Sequence, residues 1–117
     1  MTDHENSRPL TSGARLLLSR ILTADVPGGA QLRDQIPLIE VVGGPLTLLE
    51  LAPVAPVAPA PVADVPLPVS VTVLQTGVPV GELLVWVTNG VLSGLEFAWW
   101  TDDPPDALPE VEDLRDE

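Results

Sequence analysis

The apolar positions of this chain change spacing as it runs. After Pro9, Leu10, Ala14, Leu17, Leu18 and Ile21 recur every three or four residues, with Arg15, Ser19, Arg20 and Thr23 between them. That spacing lines one face of an α-helix, and Thr11 or Ser12 offers a capping oxygen to the unpaired first-turn N–H groups. The pattern predicts an amphipathic helix over about 12–24. Asp25-Val-Pro-Gly-Gly interrupts it. With Asp25 as a second cap and Pro27 in the first turn, a short helix follows that buries Leu32 and Ile36 and stops before Pro37.

From Leu38 the pattern becomes that of strands. Leu38-Ile-Glu-Val-Val and Leu46-Thr-Leu-Leu-Glu-Leu flank Gly43-Gly44-Pro45, the arrangement of a hairpin with a glycine turn. Pro45 donates nothing to a ladder, so it belongs at a strand start or an edge. Further on, Val69, Val71 and Val73 alternate with Ser70 and Thr72, predicting a half-buried strand, and residues 76–81 turn the chain. Residues 82–88 and 91–100 then flank Asn89-Gly90, the signature of a two-residue type I′ hairpin. That turn pairs Thr88 with Val91, Val87 with Leu92, Trp86 with Ser93 and Val85 with Gly94. One face then holds Leu83, Val85, Val87, Leu92, Gly94 and Ala98, and the other Leu84, Trp86, Leu95, Phe97 and Trp99. Both are apolar, so the hairpin is either covered on both sides or meets a partner through its aromatic face. A helix packing against the bare backbone explains Gly94.

Between these regions, residues 52–68 hold six prolines in 17 positions, a density that excludes a helix or a central strand. An extended run of that length spans on the order of 50 Å, enough to cross a whole sheet. The expected organisation is a flexible arm over 1–9, one α+β domain over 10–101 with the Pro-rich crossover as an internal linker, and an acidic tail over 102–117. Its architecture is two N-terminal helices packed on an antiparallel sheet of about five strands.

Charge sharpens this picture. The 117 residues carry a net charge of −12, and eight of the 17 acids lie in the last 17 positions. Nucleic-acid affinity rests on clustered Lys and Arg, so a phosphate-binding surface is excluded as an expectation. Cysteine is absent, which removes disulfides, thiolate metal sites and a cysteine nucleophile. The opening Met-Thr-Asp-His-Glu-Asn-Ser-Arg lacks a signal peptide's basic and apolar regions, and the longest uncharged run, Val65 to Gly81, contains three prolines. A cytoplasmic protein with no membrane association is expected.

Few residues offer chemistry. His4, the one imidazole, lies in the polar arm, where nothing orients it as a base. The tail carboxylates lack an EF-hand pattern, and neither glycine pair is followed by a phosphate-loop lysine. No catalytic residue, metal or cofactor is therefore expected. Glu96, placed opposite Leu83, becomes a general acid or base only if it is buried. Trp86, Trp99 and Trp100 stand out more. Adjacent tryptophans in a strand face opposite ways, so one of the last two is exposed or covers the end of the sheet, beside Asp102 and Asp103.

The stretch GELLVWVTNGVLSGLEFAWWTDDPP, with its Leu-Ser-Gly-Leu-Glu run, resembles the C-terminal part of a group of small uncharacterised actinobacterial proteins. LTSGARLLLSRILTADVPGGAQLRDQIP is similar to their helical part. Some of those proteins carry a short Gly-Cys cluster where this chain reads VVGGPLTLLE. The resemblance brings no activity with it. On the residues themselves the leading expectation is a non-enzymatic protein-binding module, of the kind immunity and antitoxin proteins use. A basic partner is steered by the acidic tail and anchored by Trp99 or Trp100, with Trp86, Glu96, Asp102 and Asp103 contributing. The alternatives are a small ligand binder or enzyme using Glu96, and an accessory protein that homodimerises through the aromatic sheet face.

Overall fold

The computed structural model describes residues 7–23, 25–62 and 71–116. His4, Val69 and Ser70 lie outside them, as do residues 63–68 of the Pro-rich run. Helix α1 spans Ser12–Ile21, and Thr11 caps it by accepting the Ala14 N–H at 3.1 Å. Helix α2 spans Gly29–Gln35, and a single 3-10 turn over Ile36–Leu38 carries the chain past Pro37. Asp25 is not the second cap. That place falls to Gly28, at φ +73°, and Gly29 approaches the Thr23 carbonyl so closely that a β-carbon would not fit.

Seven strands form one antiparallel sheet: β1 (Arg8–Pro9), β2 (Ile39–Gly43), β3 (Leu48–Pro53), β4 (Val71–Gln75), β5 (Val78–Thr88), β6 (Val91–Trp99) and β7 (Leu114–Asp116). Their spatial order is β1-β2-β3-β6-β5-β4-β7. The class is α+β as expected, but seven strands replace five. The two additions are short edges. Arg8 and Pro9, expected in a loose arm, pair with Val41 and Glu40. The acidic tail does not simply trail either, because Leu114–Asp116 pair with Val71–Val73. The turn expected over residues 76–81 contracts to Thr76-Gly77, both at positive φ, with Pro79 taken into β5 beside a bulge where its missing donor does no harm.

Asn89 (φ 53°) and Gly90 (φ 80°) make the expected tight turn, and Thr88–Val91 and Val87–Leu92 pair as read from the sequence. Beyond them the register shifts. Trp86 lies opposite Gly94, Val85 opposite Leu95 and Leu84 opposite Glu96, so Ser93 is an extra residue in β6. This bulge turns Leu95 and Phe97 onto the side of Leu83, Val85 and Val87, where all five are buried. The two-sided apolar pattern is thereby resolved into one buried face and one mixed face.

Both helices cover the buried face. Leu18, Leu22 and Leu32 from the helical region join Leu83, Leu92 and Leu95 from the hairpin, all at 0% exposure. The connection from β3 to β4 joins strands that β6 and β5 separate in the sheet. Its described part is docked rather than free: the Ala60 N–H donates to the Gly90 carbonyl at 2.8 Å, and Ala60 is buried. Gln35 ties this junction together. Its Nε2 donates to the carbonyls of Ala58 and Gly90, and its Oε1 accepts the Leu92 N–H at 3.0 Å. Among the described residues no helix is long and apolar enough to cross a membrane.

Candidate functional site

The candidate residues separate into two places. Strand alternation and the Ser93 bulge set Trp86 and Glu96 on the helix-free side of the sheet. There the Trp86 indole Nε1–H donates to Glu96 Oε1 at 2.8 Å. The indole also lies over Gly94, whose added β-carbon would sit 3.3–3.4 Å from Trp86 atoms. Gly94 is thus bare to accept Trp86, not a helix. Glu96 lies between Leu48 and Leu84 across the ladders, not opposite Leu83. It is partly exposed, and the partner observed for it is the Trp86 indole.

Trp99 and Trp100 part company, as alternation requires. Trp100 donates its backbone N–H to Val80 and leaves its side chain 59% exposed. Trp99 turns to the other side and lines a cleft of about 640 Å³ at the end of the sheet away from the Asn89-Gly90 turn. Val80 and Phe97 supply further apolar wall, and the segment from Thr101 to Pro109 folds over as the opposite wall. Asp102, Asp103 and Asp106 stand exposed around it, and no basic side chain lines it. The two prolines of Asp102-Asp-Pro-Pro-Asp restrict the backbone of this wall, which bends on either side of them. Thr101 Oγ1 donates to the Asp103 carbonyl at 3.0 Å. Asp113, also in the lining, is engaged in a reciprocal capping box with Glu110 that starts the last 3-10 turn.

A second, shallower cleft of about 480 Å³ lies on the helical side, lined by Arg15, Ser19, Ala30, Arg33, Asp34, Ile36 and Pro37. Glu96 lines neither cleft. Among the described residues no group of three carboxylates or imidazoles is arranged to hold a metal ion.

Sequence reasoning found the three tryptophans and the first two tail aspartates, but not what surrounds them. Leu48 and Leu84 flank Glu96 through ladders that only the register defines. Phe97 and Val80 reach the cleft because of two bulges. Asp106 is the exception: its place in Asp102-Asp-Pro-Pro-Asp was a signal already visible in the chain.

The arrangement offers an aromatic surface beside carboxylates, which suits a cationic side chain through cation–π and charge attraction together. Compared with known proteins, the chain matches no family model, no curated protein and no solved structure.

Proposed function

We propose that this chain is a non-enzymatic protein-binding module that engages a basic partner in the cytoplasm, as immunity and antitoxin proteins do. The observation that carries it is the cleft in which Trp99 and Phe97 face Asp102, Asp103 and Asp106 with no cation among the lining. A lysine or arginine from a partner gains there from the ring face and from the surrounding carboxylates. A net charge of −12 raises the encounter rate with a basic protein and repels anionic ones. The reading in which Glu96 serves as general acid or base has less support, because that carboxylate is partly solvated and lies outside both clefts.

The test is titration of the intact chain with peptides that carry arginine or lysine among apolar residues, against the same peptides with glutamate. Binding is expected to perturb the Trp99 indole signal in NMR spectra and to weaken as ionic strength rises past the physiological range. Replacing Asp102, Asp103 and Asp106 by asparagine removes the attraction while leaving the wall in place. Truncation after Thr101 is the poorer experiment, since it also deletes β7. A basic peptide that leaves Trp99 unperturbed, or binding indifferent to salt and to the asparagine variant, overturns the proposal.

A further inference from the structure

The helix-free face of the sheet is a second surface, separate from the Trp99 cleft. Its apolar residues surround Glu96: Leu48 is 39% exposed and Trp86 36%, with Leu84 and Ala98 partly exposed beside them. Its charged positions are mainly acidic. Glu40, Glu50, Glu82 and Glu96 each alternate with inward-facing neighbours and so stand on this side, with Arg115 on the β7 edge as the one cation among the described residues of the face. The arginines Arg15 and Arg33 lie instead on the helical side. The open face is therefore acidic, with exposed apolar side chains interleaved among its carboxylates. Trp86 is already fixed there by its hydrogen bond and by Gly94, so little side-chain freedom is lost when it is covered.

From this we infer that the open face is the seat of an amphipathic helix of the partner, apolar along one stripe and flanked by Lys or Arg. The inference deepens the proposed function and rests on its reading of the chain as a protein-binding module. The dimensions suit one helix. The four central strands, β3, β6, β5 and β4, make a face about 14 Å wide at about 4.8 Å per strand step, against a helix diameter of about 10–12 Å. A helix laid on this side completes a three-layer arrangement with α1 and α2 opposite. Strand addition is disfavoured, because the sheet ends in β1 and β7, which are two and three residues long. A second copy of the chain is disfavoured by charge: a two-fold contact between these faces sets the four glutamates of one against the four of the other.

The probe is a synthetic helix with leucines on one face and lysines on the other, compared with the same design carrying glutamates for lysines. It is titrated into the intact, isotope-labelled chain. The lysine helix is expected to shift the Trp86 indole and the Leu48 and Leu84 methyls, and the glutamate helix to leave them unmoved. Leu48→Glu, an exposed position, and Trp86→Ala each weaken binding at least about tenfold, whereas Trp99→Ala leaves the Trp86 shifts intact. Shifts confined to Trp99 and the aspartate wall overturn this inference and leave the proposed function standing. If neither face responds to any basic peptide, both fall. Equal binding of the glutamate helix overturns the charge argument. A dimer in light scattering that Leu48→Glu disperses assigns the face to a second copy and overturns the inference as well.

Discussion

One residue along a strand separates two environments in this molecule. Leu49 and Leu95 face the helices and are almost fully buried, while Leu48 and Trp86, on the same ladders, are more than a third exposed. The covered face is continuous: α1, α2 and the inward positions of the strands fill it without charge. The open face interleaves leucine and tryptophan with glutamate. An ordinary wet face of an antiparallel sheet carries polar residues at those positions. The difference teaches that apolar content alone does not mark a core. What marks it is the absence of carboxylates among its neighbours, and by that criterion Leu48, Leu84 and Trp86 belong to a surface.

The contrast is broken most sharply by truncating the covered side. Leu18 on α1 is 0% exposed and belongs to one buried cluster with the sheet's inward leucines and valines. Leu18→Ala is expected to cost about 2–5 kcal/mol, from lost burial plus the cavity left behind. Leu48→Ala on the open face is expected to cost less than about 1 kcal/mol. Urea unfolding of the two variants checks the pair. Similar losses for both would mean that the open face belongs to the stability core.

Gln35 comes next. It is 2% exposed, and its side chain ties α2, the Pro-rich segment and the hairpin turn together. Gln35→Ala leaves the Leu92 N–H and the Ala58 carbonyl without this partner, whereas Gly90 keeps its bond from Ala60. A loss of about 2–3 kcal/mol is expected, in the range for stranding buried backbone groups. Amide exchange should locate it: the Leu92 N–H exchanges faster, while amides of β2 follow only the global change.

These two sites also show what could be read from the chain and why. Leu18 was legible, because a helix writes its buried face into its own local spacing. The same holds for the Asn89-Gly90 turn, which needs only its two residues. Gln35 was not legible, since its partners lie 23, 55 and 57 positions away and nothing nearby distinguishes it from a surface glutamine. The Ser93 bulge lies between these cases. The turn fixes the first two pairs, after which the pairing of Leu49 with Leu95 from β3 takes over. A hairpin apolar on both faces was a sign of that bulge, because one extra residue reconciles the two patterns. The edge strands β1 and β7 have no pattern of their own, being two and three residues long, and exist because Val41 and Val71–Val73 offer unpaired backbone beside them. For the candidate site the outcome is similar. Residue identities were legible, but their division between an acidic cleft and an open face depended on register.

Trp86→Ala tests the open face directly. The substitution removes the indole over Gly94 and frees Glu96 from its one observed donor. Stability is expected to fall by about 1 kcal/mol, the scale of a cross-strand aromatic contact and an exposed hydrogen bond. Spectral dispersion of the covered face should be unchanged. A loss comparable to Leu18→Ala would show that Trp86 supports the fold rather than presenting itself to a partner.

The smallest expected effect concerns the contact by which the covered side reaches the tail. Arg20, in the last turn of α1, donates to Asp116 Oδ1 at 3.1 Å, with side-chain exposures of 31% and 70%. A pair this solvated is screened, and holding two mobile side chains together offsets much of its attraction. Arg20→Ala is therefore expected to lower global stability by less than about 1 kcal/mol, and by less still at high salt. The local consequence should be easier to see. Asp116 closes β7, whose core residue is Leu114, so loss of the arginine should speed amide exchange along β7 while β5 and β6 stay protected. The acidic cleft offers a second readout, because Asp113 lies immediately before β7 and lines it. If β7 exchange quickens and Trp99 keeps its environment, the cleft wall is held by its prolines and its capping box. If Trp99 changes together with β7, the Arg20–Asp116 pair helps to shape the surface proposed to meet the partner.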